Sequence, residues 1–143
     1  TIMNYNELIS SFLIDLQSYF RRNISYPGAT QQQILSILVI PFDGIEMTQL
    51  AKKIGIKNST LTRLVDGLIK KNWALKKPIK NDRRVIKVFL SKSGVKVQND
   101  LNFQISEAGS ELEKSLGEDI SQNVIEKVSL LHWEIVKSHL NSK

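Results

Sequence analysis

Fourteen of the twenty lysines and arginines in this 143-residue chain fall between residues 45 and 96, where the only acids are Glu46, Asp66 and Asp82. That segment carries a local charge of +11, while the remaining residues, six basic against eleven acidic, carry −5. The chemistry this pattern suits is neutralisation of a polyanion, because each phosphate met by a Lys or Arg releases condensed counterions. A solvated lysine-rich face would account for some of the lysines. It would not account for the avoidance of acids in the same fifty residues.

Other chemistries lack the residues they need. With no cysteine, disulfides, thiolate metal sites and thiol redox sensing are excluded. His132 and His139 lie seven apart, about two helical turns, too far to share one ion from one helix face. They read as solvated or interface histidines. Ser138 and His139 are adjacent and would not face each other on a helix, and there is no glycine-rich phosphate loop. No enzymatic activity, metal or cofactor is expected. At 41% hydrophobic and 24% charged the composition is that of a folded globular chain rather than a disordered one. The longest apolar run, 34–42, is interrupted at Ser36 and Pro41 and falls short of the roughly 18 residues of a membrane span. Asn4, Glu7 and Asp15 do not fit a basic-then-apolar export signal, so a cytoplasmic location and no membrane partner are expected.

The elements that must position the basic segment follow from periodicity. Leu8, Ile9, Phe12, Leu13, Leu16, Tyr19 and Phe20 recur at helical spacing, which predicts a helix over 5–22 buried on a broad face. Pro27-Gly28 breaks it. Thr30 followed by Gln33 matches a capping box and opens a helix to about residue 40. A short helix over 47–54 enters at Glu46 and ends at Gly55, and another over 59–71 is capped by Asn58 or Ser59. Ala51, Gly55, Leu61 and Leu64 have the spacing that lets these two helices cross through a tight turn. Residues 73–79 and 85–90 read as strands around a basic turn at 80–83, with Pro78 marking an edge or strand end. Two long helices follow, broken at Gly117.

A helix-turn-helix followed by a hairpin with a basic tip is the layout of a winged helix, whose tip arginine can reach a narrow, electronegative minor groove while the helix occupies the major groove. The fold class is therefore mainly α with a small β-hairpin: a winged helix-turn-helix lobe over 30–93 and a helical dimerisation lobe from 1–25 and 94–143, within one domain. Three broadly apolar helices cannot all be buried on so small a lobe, and a homodimer is the economical solution.

The motifs Leu50-Ala51, Ile54-Gly55-Ile56, Ser59-Thr60-x-Thr62-Arg63-Leu64-Val65-Asp66-x-Leu68, Asp82-Arg83-Arg84 and Leu90-Ser91-x-x-Gly94 together resemble the MarR/SlyA family of bacterial transcriptional regulators. They span about fifty residues, and the helix layout extends the likeness over essentially the whole chain. The resemblance implies an intertwined homodimer whose two winged helices read a pseudo-palindromic site in double-stranded DNA. It puts Ser59, Thr60, Thr62 and Arg63 on the recognition helix, and makes Arg84 the wing-tip arginine, oriented by Asp82 and flanked by Arg83. It further implies a small aromatic or anionic effector bound between the lobes, for which Tyr19, Arg21, Arg22 and Trp73 are candidates. Three positions depart from the family pattern: Asn72 where a glycine is usual before the wing, Lys76 where an arginine is usual, and Glu46 where a hydroxyl is usual.

Side-chain chemistry assigns roles within that frame. Arg63 can donate two hydrogen bonds to guanine or clamp a phosphate, and the three hydroxyls can contact base or backbone. Lys57, Lys70, Lys71, Lys77 and Lys87 suit phosphate positioning, which carries no sequence information. Ser59 can instead be only a cap, Thr62 only a solvated helix residue, and Asp66 a structural carboxylate. The other class of function compatible with these residues is a winged-helix protein-interaction module docking an acidic partner.

Overall fold

The computed structural model describes residues 2–140. Its backbone divides into two compact units, Thr1–Ile105 and Ser106–Lys143. In chain order the elements are α1 (Tyr5–Glu7), a π-helical turn (Leu8–Phe12), α2 (Leu13–Asn23), α3 (Gln31–Val39), β1 (Ile45–Glu46), α4 (Met47–Ile54), α5 (Asn58–Lys70), β2 (Ala74–Ile79), β3 (Asp82–Leu90), α6 (Lys92–Leu116) and α7 (Glu118–Leu140). The expected winged-helix fold, helical with a small antiparallel sheet, is present. No helix among the described residues is long and apolar enough to cross a membrane.

The core of the first unit forms where the helical periodicities converge. Ile34 and Ile37 of α3, Leu50 and Ala51 of α4, and Leu61, Val65 and Leu68 of α5 are all buried, together with Val88 of the sheet. Val97 and Leu101 bring the first half of α6 into the same core. Gln98 anchors α6 there, its side-chain amide donating to the carbonyls of Ile37 at 2.8 Å and Ile40 at 3.0 Å. Gln104 exchanges a reciprocal pair of hydrogen bonds with the backbone of Ser25, at 2.9 and 2.8 Å.

Local signals explain several helix ends. Thr30 Oγ1 accepts from the Gln33 backbone amide at 3.2 Å and Gln33 Oε1 accepts from the Thr30 backbone amide at 3.0 Å, a reciprocal capping box. Gly55 ends α4 in the left-handed region, at φ 82°. Asn72 takes that same conformation, φ 63°, beyond the end of α5. There the Asn72 amide donates to Ile69 at 2.9 Å and the Trp73 amide to Leu68 at 3.0 Å, the paired bonds of a Schellman motif. Asparagine is the non-glycine residue that best tolerates this geometry, which accounts for its standing where the family pattern has glycine.

Two expected boundaries are corrected and one strand is added. The helix over 5–22 presents the expected apolar residues, yet no side chain of α1, the π turn or α2 is buried within this chain. Ile9, Phe12, Leu13, Ile14 and Leu16 remain 43–67% exposed. Neither Asn58 nor Ser59 caps α5. The helix already includes both, with Lys57 at the N-cap and no side-chain capping bond. The hairpin turns at Lys80–Asn81 rather than over 80–83, because an irregularity between Pro78 and Ile79 lets Ile79 pair with Asp82. The hairpin also gains a third strand: β1 pairs antiparallel with β3, Ile45 opposite Val88 and Glu46 opposite Lys87, giving the order β1-β3-β2. Two residues are too few to display a strand period in sequence.

In the second unit, Leu112, Leu116, Ile120, Val124, Ile125, Val128, Trp133 and Ile135 are 40–59% exposed. Helices α6 and α7 thus leave many large apolar side chains uncovered within this chain.

Candidate nucleic-acid interface

Helix α5 buries Leu61, Val65 and Leu68 and turns Ser59, Arg63, Asp66 and Lys70 outward at i, i+4, i+7 and i+11 spacing. Thr60 and Thr62 flank this stripe and are exposed. Arg63 makes no hydrogen bond or ion pair among the described residues, nor do the hydroxyls of Ser59 and Thr60. Thr62 differs: its hydroxyl donates back to the Asn58 carbonyl at 3.0 Å.

Asp66 pairs with Lys76 of β2 at 3.0 Å, linking α5 to the wing. Sequence alone could not reveal this pairing, because a strand lysine and a helix acid ten residues apart meet only through the fold. At the wing, Asp82 accepts from both the backbone amide of Arg84, at 3.0 Å, and its Nε, at 3.2 Å. The carboxylate thus fixes the base of a guanidinium side chain that is otherwise 92% exposed. Arg83 is exposed beside it.

The five candidate phosphate lysines separate into different environments. Lys57 and Lys70 are exposed on α5 and at its entry. Lys77 and Lys87 face each other across β2 and β3, and each ammonium lies 5.6 Å from the centroid of the Phe89 ring. The ring's negative face offsets part of the repulsion between two like charges placed directly opposite. Lys71 is engaged by the protein itself. Its ammonium donates to Gln33 Oε1 at 2.8 Å and to the Gly28 carbonyl, and lies 5.2 Å from the Trp73 ring. Such a lysine serves the fold, so the expectation of a phosphate contact is weakest there.

The candidate effector residues are not brought together. Arg22 Nε bonds the Ser18 carbonyl at 3.3 Å within its own helix, and Trp73 packs edge-on against Tyr26, ring centroids 5.6 Å apart. Tyr19 and Arg22 lie off the face of α2 that borders a cleft of about 280 Å³ between α2 and α3. That cleft is lined by Leu16, Phe20, Arg21 and Leu35, with Gln17, Gln31 and Gln32. Residues 16, 17, 20 and 21 share one helix face, which puts Arg21 on the cleft instead of Arg22. A second cleft, of about 290 Å³, lies on the wing among Lys76, Lys77, Pro78, Arg83 and Ile86.

Residues 29–86 match the model of the MarR family. The crystal structure of MarR is similar over 98% of this chain and 96% of its own, at a TM-score of 0.81 and 17% identity. A MarR transcriptional regulator from Methanosarcina mazei Go1 is similar over 92% of this chain and 96% of its own, at 0.78 and 22% identity. A third structure, described by the regulation of DNA binding of Bordetella bronchiseptica BpsR by 6-hydroxynicotinic acid, covers 89% of this chain and 97% of its own, at 0.70 and 14% identity. No curated protein sequence matches the chain.

Proposed function

Because residues 29–86 form a MarR-family segment inside a chain with the fold of MarR, we propose that this protein is a cytoplasmic, sequence-specific transcriptional regulator acting as a homodimer on a pseudo-palindromic DNA site. In this reading residues 30–93 are the DNA-binding lobe, and 1–25 with 94–143 are the dimerisation lobe. The observation that carries it is the state of the basic surface. Its acids at α5 and the wing, Asp66 and Asp82, are each paired with a cation of the protein, at 3.0 and 3.2 Å. Arg63, Lys57 and Lys70 are left exposed for an external anion.

Lys57, Lys70, Lys77 and Lys87 of two subunits would supply eight phosphate contacts. A protein making 6–10 such contacts loses roughly 10³–10⁵ in affinity between 50 and 200 mM salt. The test is fluorescence anisotropy over that salt range, with duplexes selected from a random pool. A flat salt response would sink the DNA reading. Tight binding to an acidic protein instead would favour a protein-interaction module.

Arg84→Ala is expected to weaken binding to AT-rich flanks, whose narrow minor groove attracts a guanidinium, while leaving the preference at the half-site centres in place. Unchanged flank preference in competition assays would remove Arg84 from the minor groove. The exposed apolar rows of α2, α6 and α7 support self-association, since an apolar patch much above a few hundred Å² is rarely left bare. Sedimentation should give a dimer. Val124→Glu with Val128→Glu, both half-exposed on α7, should shift it toward monomer; an unshifted dimer would place the interface elsewhere.

The proposed effector is a small aromatic or anionic molecule in the α2–α3 cleft, where Arg21 offers a guanidinium beside the apolar walls of Leu16, Phe20 and Leu35. BpsR, of similar fold, has its DNA binding regulated by an aromatic acid of this kind. To release DNA, such a ligand must bind one arrangement of the dimer better than the other.

A further inference from the structure

The three hydroxyl residues of α5 are chemically unequal. The hydroxyls of Ser59 and Thr60 have no partner among the described residues, so their donors remain available to a ligand. The Thr62 donor is used: the hydroxyl points back along its own helix to the Asn58 carbonyl, 3.0 Å away. Bonding of this kind to the carbonyl four residues earlier is a local alternative that threonine side chains often adopt. What Thr62 retains for an outside partner is its γ-methyl group and the acceptor capacity of its oxygen, with no free donor. The residue is exposed, and it shares a helix face with Asp66, four residues on, which reaches the wing through Lys76.

In the major groove one base presents an apolar group, the C5-methyl of thymine. From the bound hydroxyl and the exposed position we infer that Thr62 is a specificity-determining residue that reads a thymine methyl through its own methyl, and not by donating a hydrogen bond. The inference rests on the DNA-binding reading and goes beyond it by naming the base and the group read. Arg63, the adjacent outward residue, supplies hydrogen bonds, so the two neighbours would read different chemistry on adjoining base pairs.

The test replaces each thymine of a selected duplex, one at a time, by deoxyuracil, which keeps the base pair and removes only the methyl. With the wild-type protein, one thymine per half-site should be sensitive, each replacement weakening binding about fourfold, the worth of one buried methyl. Thr62→Ser, which keeps the hydroxyl and lacks the methyl, should bind the thymine and deoxyuracil duplexes equally. Thr62→Val, which keeps a methyl and lacks the hydroxyl, should bind within about twofold of wild type and stay sensitive to deoxyuracil. The salt slope should be the same in all three, since no phosphate contact is altered. Deoxyuracil sensitivity surviving in Thr62→Ser, its loss in Thr62→Val, or no sensitive thymine in the wild type would each overturn the inference while DNA binding stands. Failure of the wild type to bind any selected duplex in a salt-dependent way would instead overturn the reading on which it rests.

Discussion

Gly94→Ala is expected to lower the thermal midpoint by roughly 10 °C, corresponding to about 3 kcal/mol of lost stability. A Cβ added at Gly94 would stand 1.9 Å from the Trp73 carbonyl oxygen and 2.9 Å from its carbon. These are backbone atoms, and they cannot swing aside. The Trp73 carbonyl accepts the Ser91 amide at 3.0 Å, while the Trp73 amide is bonded to Leu68 at the end of α5. On the other side, Ser91 Oγ accepts the Gly94 amide at 3.0 Å and donates to the Asn72 carbonyl. The start of α6 is therefore fastened to the entry of the wing by bonds that leave no room for a methyl group. Gly109→Ala is the control. It lies in the same helix with nothing within 4 Å of its added Cβ, and alanine is favoured there by about 0.5–1 kcal/mol. Thermal denaturation followed by circular dichroism reads both. A Gly94→Ala midpoint equal to wild type would mean that the junction is looser than its geometry requires.

The second large effect is on binding. Arg63→Ala should weaken the selected site by about 1–3 kcal/mol per half-site, roughly thirtyfold or more for a dimer, while leaving the thermal midpoint unchanged. The absence of a stability change follows from the structure: Arg63 is exposed and makes no hydrogen bond or ion pair among the described residues. Arg63→Lys is informative because it keeps the charge but loses the planar fork that pairs with guanine. Titrating both variants against the selected duplex and a scrambled one separates the roles. Loss confined to the selected duplex makes Arg63 a base reader. Equal loss on both makes it a phosphate clamp.

The motif Leu90-Ser91-x-x-Gly94 shows how a sequence pattern and its physical reason can be separated. The pattern could be read as a resemblance, but its cause is a contact between residues 73 and 94 that no local periodicity encodes. The capping box at Thr30 and Gln33 is the opposite case. Both partners lie within one turn, so the pattern and its hydrogen bonds coincide. The α5 cap falls between these cases: Asn58 and Ser59 are both good capping residues, yet α5 already starts at Asn58 and Lys57 holds the N-cap.

The candidate site divides in the same way. The outward stripe of α5 and the local +11 charge were legible because a helix face and a charge density depend on spacing along the chain. Which cations stay available depends on neighbours distant in sequence. Lys71 is held by Gln33 and Gly28, some forty residues upstream, and Lys76 by Asp66 on another element. The effector candidates show the same dependence. Arg21 and Arg22 are indistinguishable by composition, and only the packing of α2 beside α3 puts Arg21 on the cleft.

The basic stretch, the helix periods, the glycine and proline breaks and the absence of cysteine are properties of the chain taken locally, and they determined the winged-helix class and the local excess of positive charge. Tertiary structure decided the third strand, the turn position, the lysine and acid pairings and the cleft. Each of these depends on groups brought within a few ångströms by the collapse of Leu61, Val65, Leu68 and Val88 into one core, and such proximity has no period along the sequence.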